Sequence, residues 1–361
     1  MKTIQHRPWL VLGILASLVV VTIALAVPAF SYLQQLTVVN GQNSLVTSGQ
    51  PGFVCATVYG QNCNVWDFNA FPVKWNLNPT IGSNITGSTT VHDVIANSFA
   101  TWTGAPNAGL SGMVAEGPTS SVNDATAVPV GTNLICFICN GNDQTIFSDT
   151  STLAVTLTTT ATVAGQSNQH GGTTSFGGQI VQGIILFNPG NTFVTIGTPT
   201  GTQSDLQTIA THEIGHFFGL DHSAVIAAIM FPFAPVTQTQ LSYDDAAAIS
   251  LSYPSPSGQT FPAGSISGHV TLSSAPVFGA HVFAESTSNL QLFQLPSIRK
   301  SAVGALSKTD GSYTITGLPA DNYVVYAEPL DGPVENGNIA SFAPVYGQTN
   351  GVQTNFTTRW H

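Results

Sequence analysis

The sequence predicts an α+β domain followed by a small all-β domain. Strand-like and helix-like periods alternate between residues 66 and 254. A Pro/Ser/Gly stretch, PSPSGQTFPAG (254–264), then interrupts them, and only short alternating strands follow. A chain of 361 residues is also long for one core. The expected organisation is an apolar N-terminal segment (1–29), a propeptide or extension (30–65), the main domain (66–254), a linker (255–263), the all-β domain (264–331) and a tail (332–361).

In the main domain, FPVKWNLN (71–78) alternates with Val73, Trp75 and Leu77 on one face, as a strand does. STTVHDVIANSFATW (88–102) repeats apolar residues at three and four after a Ser/Thr cap region, which predicts a helix. LAVTLTTTATV (153–163) and GQIVQGIILFN (178–188) are β-branched and predict strands. SDLQTIATHEIGHFFGL (204–220) has helical spacing; Ser204 with Gln207 forms a capping-box pattern, and Gly219 is placed to end the helix. SYDDAAAISLSY (242–253) predicts a last helix with a Ser cap and acids in its first turn. Beyond the linker, GSISGHVTL, AHVFAES, GSYTITGL and NYVVYAE predict the strands of a β-sandwich.

Composition excludes one large class of function. The chain has 7 Lys+Arg against 17 Asp+Glu, and Lys74 is the only basic residue between Arg7 and Arg299. No basic patch can be assembled to neutralise phosphates, so no nucleic-acid partner is expected. At the N-terminus, Lys2 and Arg7 precede an uncharged apolar run over 9–27 with Ala24-Leu25-Ala26 near its end. This pattern fits a signal peptide or, alternatively, an uncleaved membrane anchor; either puts the remainder outside the cytoplasm. Four cysteines in an exported chain imply disulfides, most simply Cys55–Cys63 and Cys136–Cys139. A CxxC pair can also bind metal or exchange thiols, but no further ligands or thioredoxin-like pattern surround Cys136 and Cys139.

The chemistry concentrates in THEIGHFFGLDH (211–222). Residues four apart share a helix face, so His212 and His216 can address one ion. Imidazole nitrogens suit zinc, and two leave room for a third ligand and water. Glu213 can reach the open coordination position without binding the metal itself. Gly219 permits a positive φ, the chain can reverse, and His222 can then approach from outside the helix. With this composition the full HExxHxxGxxH pattern arises by chance in on the order of one chain in 10⁵. Incidental surface histidines would not need Gly219 and His222 in register.

HExxHxxGxxH is the motif of the metzincin metallopeptidases, and the sequence most resembles the matrixin branch. LDHS (220–223), IMFP (229–232) and LSYDDAAAISLSYP (241–254) are similar to its third-ligand segment, methionine turn and closing helix. The resemblance implies a metzincin-type fold over 66–254: a twisted mixed sheet with long helices, one bearing HExxH. It implies one catalytic zinc on His212, His216 and His222, Glu213 as general base toward a zinc-bound water, and Met230 in the methionine turn. It also implies a substrate wall including Pro232 and Phe233, and an edge strand at 178–188 along which an extended peptide would pair. TDGSYTITGLPADNYVVYAEP (309–329) resembles carboxypeptidase-regulatory-like or transthyretin-like modules, which implies a domain that binds substrate or a surface. Departures are visible. The residues around Cys55 do not match a matrixin cysteine switch. His170 alone is available for a second zinc, so none is expected, and no acidic loop supports calcium. The expected protein is a monomeric exported zinc endopeptidase acting on polypeptides. The alternatives are a silent or latent zinc-binding surface protein that uses the sandwich for adhesion, and a structural protein that stores zinc; Glu213 argues against the last, because a structural site fills its fourth position with a ligand.

Overall fold

The computed structural model describes residues 35–37, 45–48, 50–129, 131–139, 146–147, 150–166, 172–234, 237–255, 264–288, 298–335, 338 and 342–360. The aperiodic stretch before residue 66 is ordered by what it wraps rather than by its own pattern. Strand β1 (Leu36–Thr37) pairs antiparallel with β2 (Asn62–Cys63), and the short helix α1 (Phe53–Tyr59) lies between them in sequence. Leu36, Val46, Ala56, Tyr59 and Val65 are buried in the same apolar core as the main domain.

The main sheet has five strands: β3 (Val73–Leu77), β4 (Val114–Glu116), β5 (Asn133–Cys136), β6 (Ala154–Thr160) and β7 (Ile180–Phe187). Their order is β4-β3-β5-β7-β6, parallel throughout except for β6 against β7. This corrects one expectation. Residues 178–188 do not supply the edge strand; every residue of β7 is buried between two neighbours, and the edge is β6. Both segments are β-branched, so propensity marks them alike. Pairing decides between them: β7 lies between β5 and β6, whereas among the described residues β6 pairs only with β7.

Helix α2 (Val91–Thr103) starts at Thr90, whose hydroxyl accepts from Asp93 N, and buries Val94, Ile95, Phe99 and Trp102. Helix α3 (Leu206–Phe217) begins one residue later than the expected box. Asp205, not Ser204, caps it by accepting from Thr208 N at 2.7 Å. A carboxylate is the stronger acceptor at the positive end of the helix. Helix α4 (Tyr243–Ser252) starts at a capping box of Ser242 with Asp245. It is buried on nearly every side, which its small residues allow.

Among its described residues the C-terminal region is mostly β, with one short α-helix. After β8 (Leu241–Ser242), strands β9 (Gly264–His269), β10 (His281–Ser286), β11 (Ile298–Arg299), β12 (Val303–Leu306), β13 (Ser312–Leu318), β14 (Tyr323–Glu328) and β15 (Arg359–Trp360) follow. They form a four-stranded sheet, β12-β10-β14-β15, and a separate antiparallel pair, β9 with β13. Residues beyond 331 contribute β15 and the fully buried Phe342 of helix α5 (Phe342–Val345). No helix among the described residues is long and apolar enough to cross a membrane; the apolar 9–27 run lies outside them, as do the linker residues 256–263.

His281 of β10 is a buried base without a hydrogen-bond partner on either ring nitrogen. Phe283 lies at 3.7 Å between ring centroids, the Gly304 backbone runs alongside, and Glu328 of β14 stands 3.9 Å away. Burial lowers its pKa from 6.5 to about 3. The unfolded chain therefore binds this proton first as pH falls. The stability contribution is complete above pH 6.5 and is lost towards pH 3. His281→Phe is expected to flatten the acid limb of a melting-temperature–pH curve over that window; an unaltered limb would refute the assignment.

Candidate active site

Helix α3 brings His212, Glu213 and His216 to the sheet's edge, and three contacts from other elements fix its position. Trp102 of α2 donates through Nε1 to Thr211 O at 2.7 Å, one residue before His212. Trp66 donates to Phe217 O at 2.8 Å, and Tyr253 donates through its hydroxyl to Phe218 O at 2.8 Å. Gly215 faces Met230: a Cβ there would run into the Met230 sulfur and the Trp102 ring. Met230 is thus buried directly beneath the helix.

Gly219 ends α3 with φ +83, and a Cβ at this position would collide with the Asn64 carbonyl oxygen. The reversal carries His222 back over the helix. The Nε2 atoms of the three histidines then converge, His222 lying 2.7 Å from His212 and 3.0 Å from His216. Tetrahedral ligation at 2.0–2.1 Å separates nitrogens by about 3.3 Å, so a small outward relaxation accommodates an ion. His212 Nδ1 donates to Ile229 O at 2.8 Å and His216 Nδ1 to Leu220 O at 2.9 Å. Those bonds place the ring protons on Nδ1 and leave Nε2 lone pairs facing inward. Burial lowers the pKa of His212 to about 4 and of His216 to about 3, and pushes His222 well down, so all three are neutral ligands at ordinary pH. Among the described residues no other cluster of three His, Cys, Asp or Glu side chains could share an ion. His170 lies outside them.

The Glu213 carboxylate is buried beside the triad and accepts from Thr156 Oγ1 of the edge strand at 2.7 Å; the same hydroxyl lies 2.9 Å from Glu213 O. Burial pushes its pKa up to about 7, opposed by the Thr156 bond, and a cation on the triad would draw it lower. The loop beneath the site hangs on Asp245. Its carboxylate accepts from Ile229 N (2.7 Å), Met230 N (3.2 Å) and Ser242 N (2.7 Å). Asp244 is fully buried and accepts from Ser223 Oγ at 2.5 Å. The acids read as helix-dipole partners are therefore internal struts. Thr156, Ser223, Asp244 and Asp245 were not singled out from the sequence as site residues. Only the DD pair beside the Ser cap offered a signal.

Pro232 is half-buried, and Phe233 is 48% exposed with its ring 5.9 Å from Phe231. Cys136 and Cys139 are joined by a disulfide at the end of β5, remote from the triad in sequence. Cys63 is also disulfide-bonded; the Cys55 side chain lies outside the described residues.

Residues 159–254 match the matrixin family model. The match takes in part of β6, all of β7, α3, the third histidine, Met230 and α4; the stretch 66–158 and the C-terminal β-region lie outside it. Karilysin of Tannerella forsythia is 45% identical over 49 residues, which is 14% of this chain and 10% of that protein. Metalloendoproteinase 1 of Glycine max is 42% identical over 50 residues, 13% of this chain and 16% of the relative. Metalloendoproteinase 5-MMP of Arabidopsis thaliana is 59% identical over 34 residues, 9% of each. The aligned stretches thus span at most 16% of these relatives' lengths.

Gly219→Ala tests the reversal. A left-handed alanine costs about 1 kcal/mol by itself. The collision with Asn64 is with backbone, which cannot swing aside, so the total cost must be larger. The variant is expected to melt several degrees lower and to bind zinc more weakly; wild-type values for both would overturn the role given to Gly219.

Proposed function

We propose that the chain is a zinc metalloendopeptidase that cleaves extended polypeptides outside the cytoplasm. The convergence of the Nε2 atoms of His212, His216 and His222, on the helix that also carries the buried Glu213, is the observation that carries this reading. The matrixin match over the same residues supports it. His212, His216 and His222 would hold the metal. Zinc bound there supplies a Lewis acid that polarises a carbonyl and acidifies water. Glu213, one residue along the helix from His212, would take the proton of the attacking water and return it to the departing amine. Thr156 holds the Glu213 carboxylate in place for both transfers.

Substrate binding follows from the sheet order. Among the described residues β6 is paired along one edge only, with β7. Its free edge can take an extended peptide by β-augmentation, with Thr156 fixing the strand's distance from Glu213. In this reading Pro232 and Phe233 would form part of the substrate wall. One catalytic zinc and no second zinc are the metal content of this reading, calcium having no acidic loop to support it, and the protein acts as a monomer. Export through the 1–29 segment, and a sandwich architecture for 264–331, belong to the same proposal.

The stretch 35–65 is a retained extension in this reading, not a removed propeptide. Gln35 N donates to Gly219 O at 3.0 Å, and its side-chain oxygen accepts from Thr158 of the edge strand at 3.0 Å. Removing it would strip the support from both the helix end and β6.

Glu213→Gln is expected to lower kcat/KM on a peptide substrate by roughly 10²–10⁴ while one zinc per chain remains bound. Full activity in this variant would eliminate the mechanism, and intact zinc with no wild-type cleavage would favour a binding protein. Sequencing the N-terminus of the active species should show a start at or before Gln35; a start near residue 66 would restore the propeptide.

A further inference from the structure

The loop that follows His222 is gripped by the C-terminal β-region at three separate places. Asp244 makes the first. Its Oδ2 accepts from Ser223, the residue after His222, and its Oδ1 accepts from Gly304 N of β12 at 3.0 Å. One buried carboxylate therefore ties the third-ligand segment to the β-region. The second grip is apolar: Val225 and Ala228 of the loop pack with Phe283 of β10, with Ala302 and Tyr326 against them. Phe283 is itself stacked on Tyr326 at 4.9 Å, so it is a stiff surface. The third lies farther along the wall. Arg299 of β11 donates through Nη1 to Gln238 Oε1. Gln238 Nε2 donates to Ala227 O at 2.6 Å, and Gln238 N to Thr208 Oγ1 at 2.9 Å, on α3 itself.

These grips reinforce one another. Strand β8 pairs in parallel with β11, joining the two regions through backbone as well as side chains. Tyr243 and Ala247 of α4 lie in one apolar cluster with Val282, Val303, Ile315 and Leu318. A module carried on a linker would present a smaller, more polar contact and would be free to move relative to its partner. Here apolar burial, a shared carboxylate and a shared strand pairing converge on the loop that holds one ligand and borders the cleft.

We propose that the C-terminal β-region is a fixed wall of the active site, not a tethered targeting module, and that Phe283 and Arg299 are positioning residues for the stretches 222–234 and 237–241. Phe283 acts through Val225 and Ala228 on the seat of His222. Arg299 acts through Gln238, which holds Ala227 O ahead of Met230 and Thr208 of α3, on the segment that in the proposed reading carries the wall residues Pro232 and Phe233. The inference rests on the zinc-endopeptidase reading for its cleavage half alone.

The test uses the full chain with Phe283→Leu, Arg299→Met and, as a control on the exposed β-turn, Leu272→Ser. Zinc affinity is read by competition with a chromophoric chelator. Specificity is read as kcat and KM over peptides that differ only in the residue after the scissile bond. Phe283→Leu is expected to weaken zinc binding by roughly tenfold, as loss of support behind a ligand does. Arg299→Met is expected to raise KM unequally across the peptides, at unchanged kcat and zinc affinity, with Leu272→Ser like wild type. If both variants melt in one transition and match wild type in zinc affinity and peptide ranking, the proposal is overturned. Should Phe283→Leu fail to fold, the half-exposed Arg299 decides the matter. If wild type binds zinc but cleaves no peptide, the peptidase reading fails, and the chelator arm still supports or overturns the wall.

Discussion

Three imidazole Nε2 atoms converge on one point, His222 lying 2.7 Å from His212 and 3.0 Å from His216, an arrangement suited to holding a shared cation. Much of the surrounding structure serves to keep them there. The backbone carbonyls of Ile229 and Leu220 set the ring protons, and both carbonyls belong to the chain that turns back after Gly219. Asp245 then holds that chain at Ile229 and Met230, and Gly215 lets Met230 lie against the helix. The ligand helix and the loop beneath it are in this sense one object. Loosening either moves two ligands relative to the third.

The same logic explains two of the acids that sit in the interior of so weakly charged a chain, Asp244 and Asp245. An uncompensated buried carboxylate is costly, and the expense falls when backbone amides and hydroxyls converge on it. Asp245 receives three amides, and Asp244 receives a hydroxyl and an amide from different regions. Each acid therefore specifies a junction. Asp245 joins the methionine turn to α4, and Asp244 joins the third-ligand segment to the β-region. Apolar packing around α4 could vary by a methyl group and survive; these junctions need the donor and acceptor in register.

How much of this could be read from the sequence depends on the range of the interaction. HExxHxxGxxH is local, and the positions of His212, Glu213, His216, Gly219 and His222 carry their geometry in their spacing. Helices α2 and α4 were legible for the same reason, through period and cap. The edge strand was not, because β-branching marks β6 and β7 equally and only the neighbours on each side distinguish them. Asp205 displaced the expected Ser204 cap because adjacent polar residues compete, and a carboxylate wins. The stretch 35–65, described at 35–37, 45–48 and 50–65, has no clear period. Its conformation follows from Gly219, Thr158 and the core of α4, contacts that lie far away in sequence. Thr156 lay inside a recognised strand, yet which face it shows, and that Glu213 meets it, is decided by the packing of α3.

Zinc-edge X-ray absorption on the purified, zinc-loaded full chain would test the central claim most directly. The account predicts three nitrogen donors at about 2.0–2.1 Å with one further light atom and no sulfur. A shell with sulfur at about 2.3 Å would place the metal on cysteine instead. Failure of the folded chain to take up zinc would remove the triad from its proposed role, and the reading of Glu213 with it.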